Sequence, residues 1–86
     1  MRIALASTYD LGRQPFGLAE AAAWLRRAGH EVAAVDLSRE PRGEARLAAA
    51  EVVGFHLPMH TATRLALAVA RRLRAARPGL PLLFYG

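Results

Sequence analysis

The sequence predicts an α/β fold: a Rossmann-like or flavodoxin-like, three-layer parallel sheet with four strands and three helices. Two observations indicate it. Short apolar runs alternate with segments of helical periodicity, and turn residues separate them. A third observation is that the last predicted strand ends at Gly86 with no helix after it. Because such a strand leaves a face and an edge of the sheet open, we expect a fold that is incomplete at its C-terminus and belongs to a larger protein.

The first half of the chain predicts two strands around one helix. Residues 2–7 form a near-continuous apolar run, typical of a buried parallel strand, and a polar loop covers residues 8–17. Residues 18–28 predict a helix with one apolar stripe, formed by Leu18, Ala21, Ala22 and Leu25. Trp24, at the margin of this stripe, either packs or contacts a further domain. Gly29 is expected at the C′ position, and residues 31–36 predict the second strand.

The second half repeats the alternation. Residues 44–49 predict a short helix, residues 51–56 the third strand, residues 60–76 the third helix and residues 80–85 the fourth strand. Pro78 and Gly79 end the third helix. The face that this helix is expected to bury comprises Ala62, Leu65, Ala66, Val69, Leu73 and Ala76.

Composition limits the function. A length of 86 residues allows one domain, and the absence of cysteine excludes disulfides, thiolate metal sites and iron–sulfur clusters within this segment and suits a cytoplasmic protein. No segment approaches the roughly 20 apolar residues of a membrane span. The net charge of +5 comes from arginines spread along the chain, without the clustering that nucleic-acid binding requires. We therefore expect neither a nucleic-acid nor a membrane partner.

Common ligand motifs of this architecture are absent. The first loop has glycines at 12 and 17, which do not match the G-x-G-x-x-G of dinucleotide sites, and without lysine there is no phosphate-cradling P-loop. A phosphoacceptor receiver domain needs an aspartate at the end of the third strand, where His56 stands. Asp36 is expected to cap a turn. No nucleophile–base–orienter set is evident, so no catalytic residue is predicted.

A ligand site is predicted between the loops after the first and third strands, the switch point of a flavodoxin-like strand order. These loops offer mixed polar and apolar groups without dense charge, which suits a large, mostly neutral organic ligand better than a polyphosphate. Pro58 between His56 and His60 makes them a poor metal pair. His56 is either a structural strand-end histidine or a residue that faces a cofactor.

Three stretches carry a family resemblance. Residues 16–32, with Phe16-Gly17 at their start and Ala28-Gly29-His30 near their end, residues 52–61 and residues 81–86 resemble the cobalamin (vitamin B12)-binding domains that precede radical SAM (S-adenosylmethionine) domains. The resemblance covers nearly the whole chain. It implies that residues 1–86 are a partial cobalamin-binding domain and that a radical SAM domain follows.

The resemblance also implies where the ligand binds and that catalysis belongs to a different domain. Cobalamin would lie against the carboxyl edge of the sheet and would bring metal binding with it, with no metal ligand among these residues. An iron–sulfur cluster and S-adenosylmethionine would belong to a missing C-terminal catalytic domain of methyltransferase type. Gly12 and Pro15 stand where the D-x-H-x-x-G motif of classical members has histidine and glycine. The residues implied to contact cobalamin are Ser7, Thr8, Phe16, Gly17, His56, Met59, Thr61 and Gly86.

Two alternatives stay open. The N-terminal Rossmann half of a GT-B-type glycosyltransferase also begins with a strand, a glycine-containing loop, a helix and Ala-Gly-His-Glu-Val, although it usually has paired glycines in the first loop. The second alternative is a fragment without a function of its own, whose open edge pairs with a partner.

Overall fold

The computed structural model describes residues 1–9, 16–40 and 42–86 and confirms the predicted α/β class. Four parallel strands alternate with three helices, as the sequence predicts. In chain order the elements are β1 (Arg2–Ser7), α1 (Phe16–Arg27), β2 (Glu31–Asp36), α2 (Gly43–Ala48), β3 (Val52–His56), α3 (His60–Ala76) and β4 (Leu82–Tyr85).

The strands lie in the order β2-β1-β3-β4, which is the order of the first four strands in flavodoxin-like sheets. Side chains of each strand alternate between the two faces. Leu5 and Val32 point to the face that α1 covers, where they pack against Leu18 and Ala22. Neighbouring residues in the strands point to the opposite face, which α2 and α3 cover. The core is therefore two layers of apolar side chains, one on each side of the sheet.

Small residues make up most of the buried face of α3. Ala62, Ala66 and Ala70 lie four residues apart along the helix and are all buried, together with Val69 and Leu73. The face predicted for α3 was therefore wrong at two positions. Leu65 is 45% exposed, and Ala76 is exposed in the last turn. The buried face of α3 is therefore centred on the alanine ridge with Val69 and Leu73, and Leu65 lies to one side of it.

The other differences from the predicted elements are at their ends. Helix α1 begins at Phe16, two residues before the predicted start, and α2 begins at Gly43. Strand β4 begins at Leu82, two residues after the predicted start. Leu80 is buried in the core although it precedes the strand, so its apolar character signals packing and not strand pairing.

Gly29 ends α1 at the C′ position, as the sequence predicts. Its φ of 94° lies in the left-handed region that glycine adopts without strain. The N–H of Gly29 donates to the carbonyl of Arg26 and the N–H of His30 to that of Leu25, at 3.0 and 3.2 Å. These two bonds satisfy carbonyls at the helix end and turn the chain into β2.

Several arginines hold loops and helix ends in place. Arg77 Nη1 donates to the carbonyls of Ala48 and Ala50, and Arg74 Nη1 donates to those of Pro78 and Leu80. Arg72 binds both carboxylate oxygens of Glu44, at 2.8 and 3.1 Å, and thereby joins α3 to α2. Much of the positive charge therefore serves internal contacts. Across the described ranges no helix combines the length and apolar character needed to span a membrane.

Candidate functional site

Four polar side chains form one row across the carboxyl edge of the sheet. Ser7 is the register partner of both Asp36 and His56, and His56 is the partner of Tyr85. Register partners in neighbouring strands point to the same face, and neighbouring strands are about 4.8 Å apart. Tyr85 packs on the α1 side of the sheet, so the whole row faces that side. We call Asp36, Ser7, His56 and Tyr85 the polar row.

His56 lies against the first turn of α1. A Cβ atom added to Gly17 would come within 2.7 Å of His56 Cε1 and 2.8 Å of Nε2. The missing side chain of Gly17 is therefore what lets the imidazole rest on the helix backbone. On its other side His56 contacts the ring of Tyr85, with 5.3 Å between the ring centroids and a tilt of 43°. His56 Nδ1 is buried and has no hydrogen-bond partner among the described residues.

Tyr85 carries a second unpartnered polar atom. Its hydroxyl is buried and, within the part of the chain that the structure describes, bonds to nothing. Burial raises the pKa of the Tyr85 phenol above its usual value of 10.0. The group is therefore a neutral O–H donor at physiological pH. Buried polar groups without partners are uncommon in native proteins and costly. His30 Nδ1, at the other end of α1, is a third such atom among the described residues. Only His56 and Tyr85 are register partners, so this end of β3 and β4 is the candidate binding site.

Asp36 is used by the turn after β2. Its Oδ1 accepts hydrogen bonds from Ser38 N at 3.1 Å and Ser38 Oγ at 2.5 Å, and Arg39 Nε lies 3.6 Å from Oδ2. This agrees with the turn-capping role predicted for Asp36. The carboxylate thus holds the loop after β2 in shape. The other members of the polar row, Ser7, His56 and Tyr85, remain for a ligand.

Thr8 joins the end of β1 to α3. Its Oγ1 donates to the carbonyl of Ala62 at 2.8 Å in a buried hydrogen bond that spans 54 positions of the sequence. Ser7 is only 1% exposed and Thr8 is 5% exposed. Both predicted site residues are therefore buried. Ser7 belongs to the polar row on the α1 side, whereas the Thr8 hydroxyl bonds to α3, which covers the other side of the sheet, and already has its partner.

The remaining predicted residues lie at the same edge because α1 and α3 begin where β1 and β3 end. Phe16 is the first residue of α1 and is exposed, and Thr61 is exposed in the first turn of α3. Met59 precedes α3 in extended backbone. Gly86 lies beside β3, where an added Cβ would meet the carbonyl oxygen of Leu57 at 2.5 Å. Residues 10–15, which include Asp10, Gly12 and Pro15, lie outside the described residues.

An apolar groove of about 370 Å³ extends from the polar row down the α1 face of the sheet. Tyr85 belongs to both features. One wall is Trp24 of α1, which is 64% exposed, and the far side is Leu83 of β4, which is 50% exposed. The groove is lined by Ile3, Leu5, Ala21, Trp24, Leu25, Val52, Gly54, Leu83 and Tyr85. Its volume is within the range of small-molecule sites, which are mostly apolar with a few polar groups.

Sequence reasoning did not select Tyr85 as a site residue, because Tyr85 ends an apolar strand and no loop motif surrounds it. One feature of the sequence could have identified Tyr85: it ends a fourth strand predicted to be parallel to the strand that ends at His56. In residues 1–9, 16–40 and 42–86, no three histidine, aspartate or glutamate side chains converge as metal ligands.

No protein-family model matches this chain, and no curated protein or solved structure matches it either.

Proposed function

We propose that the chain is a cofactor-binding module that holds a large, mostly neutral organic ligand at the carboxyl edge of its sheet. The resemblance in sequence favours cobalamin as that ligand. The observation that supports the proposal best is the pair of buried, unpartnered polar atoms, His56 Nδ1 and Tyr85 Oη, in adjacent strands. They lie beside the β1–β3 switch point, where open α/β sheets bind their ligands.

The donor set suits such a ligand. The Tyr85 hydroxyl donates to a carbonyl or amide oxygen, and cobalamin carries many amide groups. His56 Nδ1 accepts or donates one more hydrogen bond, according to the imidazole tautomer. The groove below them takes only a part of a ligand of this size. Phe16 and Thr61, exposed in the first turns of α1 and α3 at the carboxyl edge, are available to the rest. The residues present therefore fit a bulky ligand that has both amide and apolar groups.

The role of the chain is to bind and orient. Ser7 lies beside His56 in the polar row, Gly17 makes room for His56, and Trp24 forms a wall of the groove. Bound cobalamin supplies a cobalt centre that can carry a methyl group. Catalysis itself belongs, in this proposal, to a radical SAM domain in the same protein, with its own iron–sulfur cluster and S-adenosylmethionine. A cytoplasmic location is part of the same proposal.

The test is a spectral titration of the chain with hydroxocobalamin. We expect a saturable change in the corrin absorbance and quenching of Trp24, the single tryptophan of the chain, which lines the groove. His56→Ala and Tyr85→Phe should each weaken binding, by roughly tenfold for one lost hydrogen bond to a buried group. His30→Ala is the matched control, because His30 follows α1 at its opposite end.

The absence of any spectral change at high micromolar cobalamin, with a chain shown to be folded by circular dichroism, would contradict the choice of ligand. Equal binding by the His56 and His30 variants would contradict the site.

A further inference from the structure

We propose that the outer face of α3 is an interaction surface for an acidic helix of a partner protein. This outer face comprises Arg64, Leu67 and Arg71, all of which are exposed. Helical spacing places the two arginines opposite the buried residues Ala62 and Val69, so they lie on the side that is turned away from the sheet. The polar row and the groove are on the α1 side, which makes this surface separate from the candidate ligand site.

The surface belongs to the part of the chain that carries the net charge. Residues 1–59 contain seven arginines and all seven acidic residues, whereas residues 60–86 contain five arginines and no acidic residue. The net charge of +5 therefore comes from residues 60–86 alone. The arginines are spread along the chain, but the carboxylates that could neutralise them are not. An excess of one sign on one element attracts partners of the opposite sign.

The contacts within the chain show which of these five arginines are free. Arg72 is paired with Glu44, and the guanidinium groups of Arg74 and Arg77 donate to backbone carbonyls. The side chains of Arg64 and Arg71 form no hydrogen bond or ion pair with any described residue. All five N–H donors of each guanidinium are therefore available for a carboxylate of another molecule.

The spacing of the free arginines matches a helical partner. Arg64 and Arg71 are two turns apart on α3, which corresponds to about 10 Å along the helix axis. Leu67 lies between them and is 44% exposed. A partner helix has the same rise, so two carboxylates two turns apart, with an apolar side chain between them, match this row when the helices lie side by side. Each arginine then forms charge-assisted hydrogen bonds, and Leu67 is removed from water.

Other anionic partners fit the outer face less well. Specific binding to DNA typically uses roughly six or more phosphate contacts, and single-stranded nucleic acid is held by aromatic side chains. Helix α3 offers two free arginines and contains no phenylalanine, tyrosine or tryptophan. A helix that binds a membrane surface inserts a broad apolar face, whereas the apolar face of α3 is buried in the core. A protein partner is therefore favoured.

The outer face does not depend on how the sheet continues. Helices that accompany further strands beyond β4 would lie beside α3 in its own layer or on the opposite side of the sheet. The outer face points out of that layer, so it would stay accessible in a larger protein.

A binding titration with a labelled synthetic peptide tests the proposal. The probe is a helical peptide with two glutamates two turns apart and a leucine between them, and its fluorescence anisotropy reports binding. We expect saturable binding that weakens as the salt concentration rises. Arg64→Gln and Arg71→Gln should each weaken binding about twofold to fivefold, which is the range of an exposed ion pair.

Two controls separate this surface from general attraction to a basic protein. Arg42→Gln removes the same charge from an exposed arginine that precedes α2 and has no described side-chain contact, and it should leave binding unchanged. A peptide with glutamines in place of the glutamates should bind about tenfold more weakly. This second control needs no protein variant, so it tests the proposal even if a substitution on α3 prevents folding.

Three results would overturn the proposal. The first is no binding at millimolar peptide, or equal binding of the glutamate and glutamine peptides. The second is the same loss of affinity in Arg42→Gln as in Arg64→Gln. The third is tighter binding to a short DNA duplex or to phosphatidylserine vesicles than to the peptide, lost in the Arg64 and Arg71 variants, because the surface would then belong to a nucleic acid or a membrane.

Discussion

The imidazole of His56 rests on the backbone of Gly17, so closely that a methyl group at position 17 would overlap it at 2.7 Å. This contact joins the end of β3 to the beginning of α1, two points 39 residues apart in the sequence. It also brings the helix and the polar row into one site. The backbone of Gly17 does not need a left-handed conformation, since Gly29 is the only glycine of the described residues with positive φ. The close contact with the His56 imidazole, and not a special backbone conformation, therefore explains why glycine stands at position 17.

Gly17→Ala tests the contact. Alanine should gain about 0.5–1 kcal/mol from helix propensity, and the overlap with His56 should cost about 1–3 kcal/mol. We expect a net loss in the free energy of unfolding, measured by urea denaturation. In a His56→Ala background the overlap is gone, so the same substitution should become neutral or stabilising. The same sign of the Gly17→Ala effect in both backgrounds would show that the two residues do not interact.

Thr8→Val removes the buried hydrogen bond to the Ala62 carbonyl at nearly constant volume. The loss should lower the free energy of unfolding by about 1 kcal/mol. Thr8→Ser keeps the hydroxyl and should cost less than Thr8→Val, as read from the urea midpoints. The opposite order of the two variants would mean that the methyl group, and not the hydrogen bond, fastens β1 to α3.

Tyr85→Phe removes a buried hydroxyl that has no partner among the described residues. Because the folded chain then no longer desolvates an unsatisfied donor, we expect unchanged or increased stability at neutral pH. Thermal denaturation of the parent and the variant measures this. A clear loss of stability would reveal a partner for the hydroxyl in the free protein, and would remove one support of the proposed ligand site.

The same residue predicts an alkaline effect. Burial raises the pKa of Tyr85 in the folded chain above the 10.0 of an unfolded tyrosine. Below pH 10 the phenol is protonated in both states. Above it the unfolded chain releases the proton first, so stability falls as pH rises toward and through the folded pKa. Denaturation curves between neutral and alkaline pH should show a shallower decline for Tyr85→Phe than for the parent. Parallel declines would contradict the burial of the phenol.

Gly29 and Gly79 form a matched pair for backbone conformation. An added Cβ meets nothing within 4 Å at either position, but Gly29 alone has a φ of 94°. Gly29→Ala should therefore cost about 1 kcal/mol of strain, and Gly79→Ala should be neutral or slightly stabilising. Urea denaturation of the two variants under identical conditions decides the point. Equal effects would indicate that α1 ends without the left-handed residue.

The sequence was sufficient for the order and type of the elements, because apolar periodicity and turn residues act locally. Strands β1 and β2, helix α3 and the end of α1 at Gly29 are where the pattern places them. The apolar pattern did not predict which apolar residues are buried, because burial depends on tertiary packing. Leu65 and Leu80 have similar character, yet Leu65 is exposed on α3 while Leu80 is buried before β4.

For the candidate site, the sequence by itself determined the edge of the sheet at which it is expected. The loops after β1 and β3 meet at this edge in any flavodoxin-like order, which pointed to Ser7, Gly17 and His56. Only the tertiary structure decided how these residues are placed relative to one another. Strand register aligned His56 with Tyr85, and helix packing enclosed Thr8 beneath α3. The physical reason is distance along the chain. A local pattern reflects forces between neighbours, whereas register and burial depend on contacts between residues that only the folded sheet brings together.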